Sequence, residues 1–471
     1  MPDFADLVEA LTSRRPAAQA FAITEAAIDS RALKPGALFV AIRGERLDGH
    51  DFVREAFQRG AVCALIEREI DAPLQILDLR AEASYPIPAA VEAPVCIRVQ
   101  NTVAALQQIA RLWRRKLPVQ VVGITGSVGK STTKELVAAV LSVKYKTLKS
   151  AGNLNNEIGL PVNVLQLRHE HQRAVLEMGF YVPGEIALLC DISLPRVGVI
   201  TNVGTVHAER AGSQESIARG KAELVEALPE DGVAVLNYDD ARVRSMSSST
   251  KAKVFFYGLS PEADLWADEI ESHGLDGIHF RLHHGRETLH TRIPLIGRHS
   301  VHTALRAAAV GLMDGLTWPE ILNGLRQGRT QLRMAAVRSK NGSLILDDTY
   351  NASPESVLAA LNLLEEMEGR KIAVLGDMLE LGPYEREGHE MVGLRAAQVA
   401  RVLLTLGVRA HLIAQAARKA GMKSSNILEF EALDAVVKWL EEHLAPTDTV
   451  LIKGSHGLHM DRITAALELR S

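Results

Sequence analysis

The sequence of 471 residues contains little cysteine and no strong excess of either charge. Its three cysteines, Cys63, Cys96 and Cys190, are scattered and lack the spacing of metal ligands. We expect them to be small buried side chains in a reducing compartment, not disulfide partners. The formal net charge of −4 gives no electrostatic case for binding nucleic acid or an anionic membrane.

Long apolar runs are also missing. No run approaches the roughly 18 to 20 residues that a membrane-spanning helix needs. The first residues, MPDFADLVEA, are acidic and lack the charged and then apolar arrangement of a signal peptide. We therefore expect a cytoplasmic protein that is not inserted into a membrane. Its content of 47% hydrophobic and 23% charged residues is typical of a folded globular chain.

The chain is too long for one ordinary hydrophobic core, so we expect roughly two to four domains. Two stretches separate regular segments: LRAEASYPIPAAVEAP at 79–94 is rich in Pro and Ala, and NGLRQGRTQ at 323–331 is polar. We place boundaries near 100 and near 328, which predicts domains at 1–99, 100–327 and 328–471. Short β-rich runs alternate with helical stretches throughout, which indicates α/β architecture with parallel sheets covered by helices.

Four apolar runs in the last domain predict buried strands: SLILDD, KIAVLGD, RVLLTLG and DTVLIKGS. Continuous apolar character over a short run favours a strand that is covered on both faces. In open parallel sheets, ligands bind beyond the carboxyl ends of the strands. Polar residues that follow these runs are therefore candidates for function.

The central domain contains a phosphate-binding pattern. The β-branched run VQVVGIT leads into GSVGKSTT, and Gly123 to Ser131 reads G-x-x-G-x-x-G-K-S. Gly126 and Gly129 allow the backbone N–H groups to point at phosphate oxygens, and the helix N-terminus adds its positive dipole. Lys130 supplies a charge for the phosphates, and the Ser131 hydroxyl can bind Mg²⁺. The predicted nucleotide-binding residues of this loop are Thr125, Gly126, Ser127, Val128, Gly129, Lys130, Ser131 and Thr132.

Two further strands are predicted to end near this loop. AVLEMG ends close to Glu177, and VGVITNVG is followed by His207. If both strands belong to the same sheet, these side chains lie on the ligand side, where Glu177 and Ser131 form a plausible Mg²⁺ site. Taken singly, Glu177 could instead be a solvated or capping residue, and His207 an ordinary hydrogen-bonding group.

The residues alone leave the reaction open. An N-K-x-D motif for reading guanine is missing, which argues against a GTP switch. A small-molecule kinase, another enzyme that uses Mg-ATP and an ATP-gated binding module all stay compatible with the pattern.

A set of longer motifs narrows this choice. In chain order they are DSRALKPGALFVAIRGERLDGHDF (29–52), TGSVGKSTTKE, GNLNNEIGLP (152–161), LEMGFYVPGEI (176–186), TNVGTVHAERAGSQESIARGKAEL (201–224), LDDTYNASPES (346–356) and VLIKGSHG (450–457). Together they resemble the Mur ligase family, the ATP-dependent amide-forming enzymes of peptidoglycan synthesis. The resemblance covers nearly the whole chain and motifs from all three predicted domains.

The resemblance implies a fold and a set of cofactors. The fold would be α/β with three domains: a small α/β domain for a UDP-linked substrate, a central P-loop parallel-sheet ATPase domain and a C-terminal Rossmann-like domain. The cofactors would be ATP, two Mg²⁺ ions and CO₂, carried as a carbamate on Lys221. Ser131, Glu177, His207 and this carbamate would bind the metal ions, with His207 and Lys221 at the second ion. The catalytic residues implied are Lys130, Glu177, His207 and Lys221.

The implied reaction adds D-alanyl-D-alanine to UDP-N-acetylmuramoyl-tripeptide (UDP-MurNAc-tripeptide). An acyl phosphate forms first, and the products are the UDP-MurNAc-pentapeptide, ADP and phosphate. DDTYNASP and GNLNNEIGLP favour this activity within the family. The alternative is a relative that adds a diamino acid to UDP-MurNAc-dipeptide, but its D-N-P-R motif is not in this sequence. A non-catalytic ATP-binding relative is a further alternative, and a monomer is the family-based expectation.

The resemblance also implies binding residues in each domain. The residues near the nucleotide would be His299, Arg333 and Asp348. The residues near the UDP-linked substrate or the incoming dipeptide would be Ser30, Arg31, Asn153, Asn155, Asn156, Tyr350, Asn351, Lys453 and Ser455. Ser353 followed by Pro354 predicts a helix start beside this set. Four positions depart from the family pattern: Ser300 and Thr303 stand where Asn is usual near the adenine, Leu332 stands where Gly usually precedes the Arg, and His456 replaces an Arg.

Replacement of Lys221 tests the implied carbamate. We expect Lys221→Ala to abolish turnover, because alanine offers no amine for CO₂, and added bicarbonate should not restore activity. Steady-state assays with and without bicarbonate check this. Activity near that of the unmodified enzyme would remove the carbamate from the reaction.

Overall fold

A computed structural model describes residues 1–16, 21–44, 46–70, 74–80, 91–205, 208–327 and 335–469. Within these ranges, three sheets follow one another along the chain, each flanked by helices. The predicted α/β class with parallel-sheet cores is confirmed. Residues 206, 207 and 328–334 lie outside the described ranges, and so do the predicted site residues His207 and Arg333.

The first sheet lies within the first 98 residues. In its described part, five parallel strands have the order β1-β2-β3-β5-β4. Its short apolar strands, such as CALI and VCIR, are buried, as expected when helices cover both faces. The elements are α1 (Phe4–Thr12), β1 (Ala26–Ala27), β2 (Leu38–Val40), α2 (Val53–Gln58), β3 (Cys63–Ile66), β4 (Gln75–Asp78) and β5 (Val95–Arg98).

The central sheet carries the phosphate loop. Its described strands have the order β14-β13-β12-β11-β10-β9-β6-β8-β7 and are parallel from β7 to β12. The elements are α3 (Thr102–Arg115), β6 (Gln120–Thr125), α4 (Lys130–Ser142), β7 (Thr147–Lys149), α5 (Gly159–Leu165), β8 (Arg173–Glu177), α6 (Glu185–Ser193), β9 (Val197–Ile200), α7 (Ala208–Ala211), α8 (Gln214–Glu226), β10 (Val233–Asn237), α9 (Ala241–Ser245), β11 (Lys253–Gly258), β12 (Leu265–Ser272), β13 (Ile278–His284), β14 (Glu287–Ile293), α10 (Ser300–Met313) and α11 (Trp318–Gln327).

The two faces of the central sheet belong to different cores. Val121 of β6 packs into a cluster that continues into the first part of the chain, whereas Val122 and Ile124 pack against α4, α10 and α11. This alternation follows from the period of two along a strand. The strands β12, β13 and β14 extend the sheet as an antiparallel meander.

The last sheet has five parallel strands and one antiparallel edge strand, β15, in the described ranges, with the order β15-β16-β20-β17-β18-β19. The four apolar runs predicted as strands form β16, β17, β18 and β20. The elements are β15 (Ala335–Arg338), β16 (Leu344–Asp347), α12 (Pro354–Glu366), β17 (Lys371–Gly376), α13 (Glu385–Val399), β18 (Val402–Leu406), α14 (His411–Lys419), β19 (Ile427–Phe430), α15 (Leu433–His443), β20 (Thr449–Lys453) and α16 (Asp461–Leu467).

Helix α3 joins the first and central parts of the chain. It begins at Thr102, whose hydroxyl donates to the carbonyl of Ala41 at 2.8 Å. The Trp113 indole donates to the carbonyl of Leu167 at 3.0 Å, so the buried ring has a partner for its N–H group. In the described ranges, every helix is too short or too polar to cross a lipid bilayer.

A buried carboxylate strengthens the same junction. Asp6 of α1 accepts hydrogen bonds from Arg15 at 2.6 Å and from Lys116, directly after α3, at 2.8 Å. Burial alone would raise the pKa of Asp6, but hydrogen bonds from Lys116 and Arg15 outweigh it and hold the pKa at about 2. The ionised carboxylate is therefore stabilised by folding.

We expect Asp6→Asn to reduce the free energy of unfolding by about 1 to 2 kcal/mol at pH 7. A carboxylate with a lowered pKa stabilises the fold above its unfolded pKa, and this contribution is lost as the pH falls toward the folded pKa of about 2. The difference between the two proteins should therefore shrink below about pH 4. Urea unfolding between pH 7 and pH 3 measures it.

The matched control is Asp231→Asn, which removes an exposed carboxylate paired with Arg196. We expect a change below about 0.5 kcal/mol there, because solvent screens exposed ion pairs. Equal effects of the two substitutions would contradict the role assigned to Asp6.

Candidate active site

The phosphate loop joins β6 to the N-terminus of α4. Gly126 and Gly129 have φ angles of +143° and +84°, which only glycine adopts readily. At Gly126 a Cβ atom would also collide with the Thr201 hydroxyl. Gly126 and Gly129 are therefore required by the path of the backbone. Thr125 is fully buried and donates from its hydroxyl to the carbonyl of Met178 at 3.0 Å.

The end of β9 holds the loop in place. The Asn202 amide accepts from the Val128 N–H at 2.9 Å and donates to the Val128 carbonyl at 3.2 Å. The Thr201 hydroxyl donates to the same carbonyl at 2.7 Å, and Ser127 Oγ accepts from the Gly204 N–H at 2.8 Å. Loop and strand end therefore form one hydrogen-bonded unit.

The side chain of Lys130 folds back over the phosphate loop. Its Nζ donates to the carbonyls of Gly126 at 2.8 Å and Ser127 at 3.2 Å. Main-chain carbonyls are weak partners for an ammonium compared with phosphate oxygens, because the latter carry a full charge. Lys130 can therefore exchange these contacts for a phosphate group without a large change of position.

Glu177 ends β8 beside the loop and is 1% exposed. Its carboxylate accepts from the Ser131 hydroxyl at 2.6 Å and from the Asn155 amide at 3.0 Å. Lys134 Nζ lies 3.9 Å from the same carboxylate and donates to the Gly152 carbonyl at 3.3 Å. Buried charges require such partners. A hydroxyl and a carboxylate oxygen thus meet at the carboxyl ends of the central strands.

Lys221 lies on α8 and is 1% exposed. Its Nζ is 4.7 Å from the centre of the Phe180 ring, which can approach because residue 220 is glycine. Burial lowers the pKa of Lys221 well below its ordinary value, and the positive charge of Lys130 adds to this effect. A larger fraction of this amine is therefore neutral than of an exposed lysine.

A cavity of about 410 Å³ lies between the central and C-terminal parts. One wall is the phosphate loop, and the other is the loop that follows β16. Predicted site residues that line it are Ser127, Val128, Gly129, Lys130, Ser131, Thr132, His299, Asp348, Tyr350, Asn351 and Lys453. Residues predicted from separate motifs thus share one cleft.

An ion pair shapes the C-terminal wall. Lys453 ends β20, is 2% exposed, and donates to the Asp348 carboxylate at 2.6 Å and to the Asn351 carbonyl at 2.8 Å. After this loop, Ser353 caps α12 in a reciprocal capping box, and Pro354 is the first helical residue, as the sequence predicted. The Tyr350 side chain is exposed at the mouth of the cleft.

The central and C-terminal parts also touch at two further points. The Glu355 carboxylate accepts from the Thr205 N–H at 3.2 Å, and a Cβ atom at Gly204 would lie 2.7 Å from that carboxylate. The Glu209 N–H donates to the Glu380 carbonyl at 3.3 Å, where a Cβ atom at Gly382 would lie 2.7 Å from Glu209 Cα. Glycine on each side permits this approach.

Other predicted residues lie elsewhere. Ser30 is buried in the first part, and the exposed Arg31 makes a two-pronged contact with Asp29 at 2.8 and 3.0 Å. Neither is among the described residues that line the cleft. The same holds for Ser455, whose hydroxyl accepts from the Leu379 N–H at 2.9 Å.

The asparagines of GNLNNEIGLP differ from one another. Asn155 contacts Glu177, whereas Asn156 accepts from the N–H groups of Ile158 and Gly159 and so caps the start of α5. Asn153 is exposed. The structure therefore brings Asn155 to the carboxylate and gives Asn156 a local structural contact.

Asn202 and Arg306 were not predicted from the sequence, although both line the cleft. For Asn202 the available signal was its place directly after a buried strand of the same sheet. For Arg306 it was a single arginine within the apolar helical run TALRAAAV.

Comparison with known families identifies the class of protein. Sequence profiles match in three consecutive regions: "Mur ligase family, catalytic domain" at 22–114, "Mur ligase middle domain" at 124–311 and "Mur ligase, glutamate ligase domain" at 332–456. The chain belongs to the Mur ligase family.

Comparison with individual proteins is more specific than the match to the family. UDP-N-acetylmuramoyl-tripeptide–D-alanyl-D-alanine ligase of Bacillus subtilis is 35% identical over 447 residues, which cover 94% of this chain and 92% of that protein. The crystal structure of MurF from Acinetobacter baumannii superposes with a TM-score of 0.83 at 30% identity, and covers 99% of this chain and 98% of the other. MurF from Thermotoga maritima in complex with ADP gives 0.78 at 28% identity, with 94% and 96% covered.

The buried amine of Lys221 has a measurable effect on stability. We expect Lys221→Met to raise the free energy of unfolding at pH 7 by about 1 to 3 kcal/mol, because folding then no longer has to bury an ammonium or remove its proton. A lysine with a lowered folded pKa opposes folding below that pKa, and the penalty fades as the pH rises to the unfolded value of 10.5. The advantage of the variant should therefore decrease toward pH 10.5.

Thermal unfolding in CO₂-depleted buffer at several pH values measures this difference. Lys134→Met is the matched control, since it removes a buried lysine that lies beside Glu177, and we expect it to destabilise the fold. Destabilisation by Lys221→Met at pH 7 would contradict the assignment of an unfavourable buried charge.

Proposed function

We propose that this chain is the ATP-dependent ligase that joins D-alanyl-D-alanine to UDP-MurNAc-tripeptide and releases ADP and phosphate. The observation that carries the proposal is the shared cleft, in which the phosphate loop, with Ser131 hydrogen-bonded to Glu177, faces the Asp348–Lys453 pair. Such a cleft can hold a nucleotide on one wall and an incoming amine on the other. The named relatives, similar over nearly the whole chain, support the same activity.

The reaction proceeds in two transfers. A carboxylate oxygen of the tripeptide attacks the γ-phosphorus of ATP, the bond to the bridging oxygen breaks, and ADP leaves. The amine of the dipeptide then attacks the acyl carbon, loses a proton, and expels phosphate as the amide forms. Lys130 and the backbone N–H groups at the start of α4 bind the phosphate oxygens and stabilise their charge.

The oxygen ligands at the end of β8 fit a magnesium ion. Ser131 Oγ and the Glu177 carboxylate are hard donors already within 2.6 Å of each other, and Asn155 orients the other carboxylate oxygen. Mg²⁺ bound there would offset the charge of the polyphosphate. Ser131 and Glu177 would hold it.

Lys221 fits a carbamate. Formation of a carbamate requires a neutral amine, and burial beside Phe180 with Lys130 nearby favours the neutral form. As a carbamate, Lys221 would carry a negative charge suited to a second Mg²⁺ ion, with His207 as the other ligand implied by the family resemblance. The result expected for Lys221→Ala bears on this assignment directly.

The position of the cleft suits a reaction that must exclude water. Because the two walls belong to different parts of the chain, their approach brings the amine to the acyl phosphate and limits hydrolysis. The Glu355 and Glu209 contacts support a defined approach of the central and C-terminal parts.

We assign the remaining roles by domain. Residues 1–99 would bind the UDP-MurNAc-peptide through Ser30 and Arg31, 100–327 would bind ATP, and 328–471 would bind nucleotide and dipeptide. In the last domain, the residues that would contact the dipeptide are Tyr350, Asn351, Lys453 and Ser455. Arg333 and Asp348 of the same domain would contact the nucleotide, together with His299 of the central domain. Asn153, Asn155 and Asn156 would lie toward the peptide substrate. We propose a monomer that acts in the cytoplasm.

Phosphate release from ATP tests the activity. With UDP-MurNAc-tripeptide present, we expect release to depend on D-alanyl-D-alanine, because the acyl phosphate is consumed only when the amine attacks. UDP-MurNAc-pentapeptide should form in equal amount, as measured by mass spectrometry.

Two controls separate the alternatives. UDP-MurNAc-dipeptide with a free diamino acid should give no product, and turnover with this pair alone would assign the neighbouring ligase activity. Lys130→Ala should abolish phosphate release with either pair. Absence of turnover in the unmodified chain with both pairs would favour a non-catalytic relative.

A further inference from the structure

Arg306 lies on α10, lines the cleft and is only 4% exposed. Its Nη2 donates to the Thr303 hydroxyl at 2.7 Å, and its guanidinium carbon lies 5.8 Å from the centre of the Tyr257 ring. Its Nε is buried and has no hydrogen-bond partner in the described ranges. This buried donor is not used by the mechanism above.

Another buried arginine shows what a structural role looks like in this chain. Arg114 is 7% exposed and donates to the carbonyls of Ser193, Leu117 and Val119 at 2.6, 3.0 and 2.6 Å. Main-chain acceptors therefore satisfy its guanidinium, whereas Arg306 keeps an unsatisfied Nε. A buried cation with an unpaired donor is costly unless an anion completes its surroundings.

The guanidinium of Arg306 also lies against the phosphate loop. A Cβ atom at Gly129 would be 3.3 Å from its Nη2, so the arginine packs on the residue that directly precedes Lys130. Among the described residues, no carboxylate is within ion-pair distance of Arg306. The nearest anion that the cleft is built to receive is the polyphosphate of a nucleotide.

We propose that Arg306 and Thr303 form an anion subsite that binds a polyphosphate oxygen of the nucleoside triphosphate. Arg306 makes the contact, and Thr303 is a positioning residue that orients the guanidinium through its hydroxyl. A planar guanidinium offers paired donors that match phosphate oxygens. This inference rests on the nucleotide-binding part of the proposed function and adds a second cation to Lys130.

The subsite also bears on the departures from the family pattern at Ser300 and Thr303. Thr303 is 5% exposed, and its hydroxyl accepts from Arg306. In this chain the position thus serves the guanidinium one helical turn away. Binding strength is supplied on the phosphate side of the nucleotide, where it does not depend on the base.

Equilibrium binding distinguishes a phosphate contact from a base contact. ATP and inosine triphosphate share the polyphosphate but differ in the base, and each can displace a fluorescent ATP analogue from the chain. We expect Arg306→Ala to weaken binding of both nucleotides by about tenfold or more and by the same factor. Arg306→Lys should recover part of the loss, because it restores charge but not the planar fork.

Arg298→Ala is the matched control. It removes an exposed arginine just before the same helix, and we expect a change below about twofold because solvent screens the exposed charge. A loss for Arg306→Ala below about twofold, or one confined to ATP, would overturn the subsite. If the alanine variant does not fold, Arg306→Gln, which keeps the length and polarity of the side chain, decides by the same criteria.

The measurement is made without either peptide substrate. A chain that fails to ligate the dipeptide can therefore still show the expected dependence on Arg306, and an active ligase can fail to show it. The two proposals are thus tested separately.

Discussion

The buried carboxylate of Glu177 is the constraint on which the site depends. A charge at that depth is stable only with partners, and these come from two elements: Ser131 and Lys134 from the first two turns of α4, and Asn155 from the loop before α5. Meeting this one requirement aligns the phosphate loop with the end of β8. It also places hydroxyl and carboxylate oxygens where a hard cation can bind.

The same principle operates across the cleft. Lys453 is buried at the end of β20 and takes its partners from the loop after β16, which fixes the path of that loop toward the phosphate loop. Arg306, in contrast, is a buried cation on the other wall of the cleft, and its Nε has no hydrogen-bond partner in the described ranges. The buried lysine of the C-terminal wall is therefore paired, whereas the buried arginine of the central wall can still bind an anion. That asymmetry suits a site that receives a polyphosphate.

Local patterns predicted much of this arrangement, and contacts between distant residues account for what they missed. The run VQVVGIT with the following glycines specifies β6 and the start of α4, because hydrophobic period and backbone freedom are local properties. Ser353 and Pro354 likewise determine a helix start by themselves. The hydrogen bond between the Val128 N–H and the Asn202 side chain joins positions 74 residues apart, and it forms only because β9 lies next to β6. Arg306 was not predicted for the same reason. It matters because it lies against Gly129 of the phosphate loop, and this contact joins two separate elements.

The contacts at Gly204 and Gly382 have a consequence for the distance between the central and C-terminal parts. Gly204 belongs to the central part and Gly382 to the C-terminal part. Each lies closer to the segment that faces it than a residue with a side chain could. A methyl group at Gly382 would meet the backbone of Glu209 and act as a spacer between the two parts, whereas at Gly204 it would meet only the end of the Glu355 side chain, which can turn away. The change at Gly382 would alter the reach between nucleotide and amine while leaving every ligand of both untouched. The resting separation of the central and C-terminal parts is therefore limited by a glycine that belongs to no proposed ligand contact.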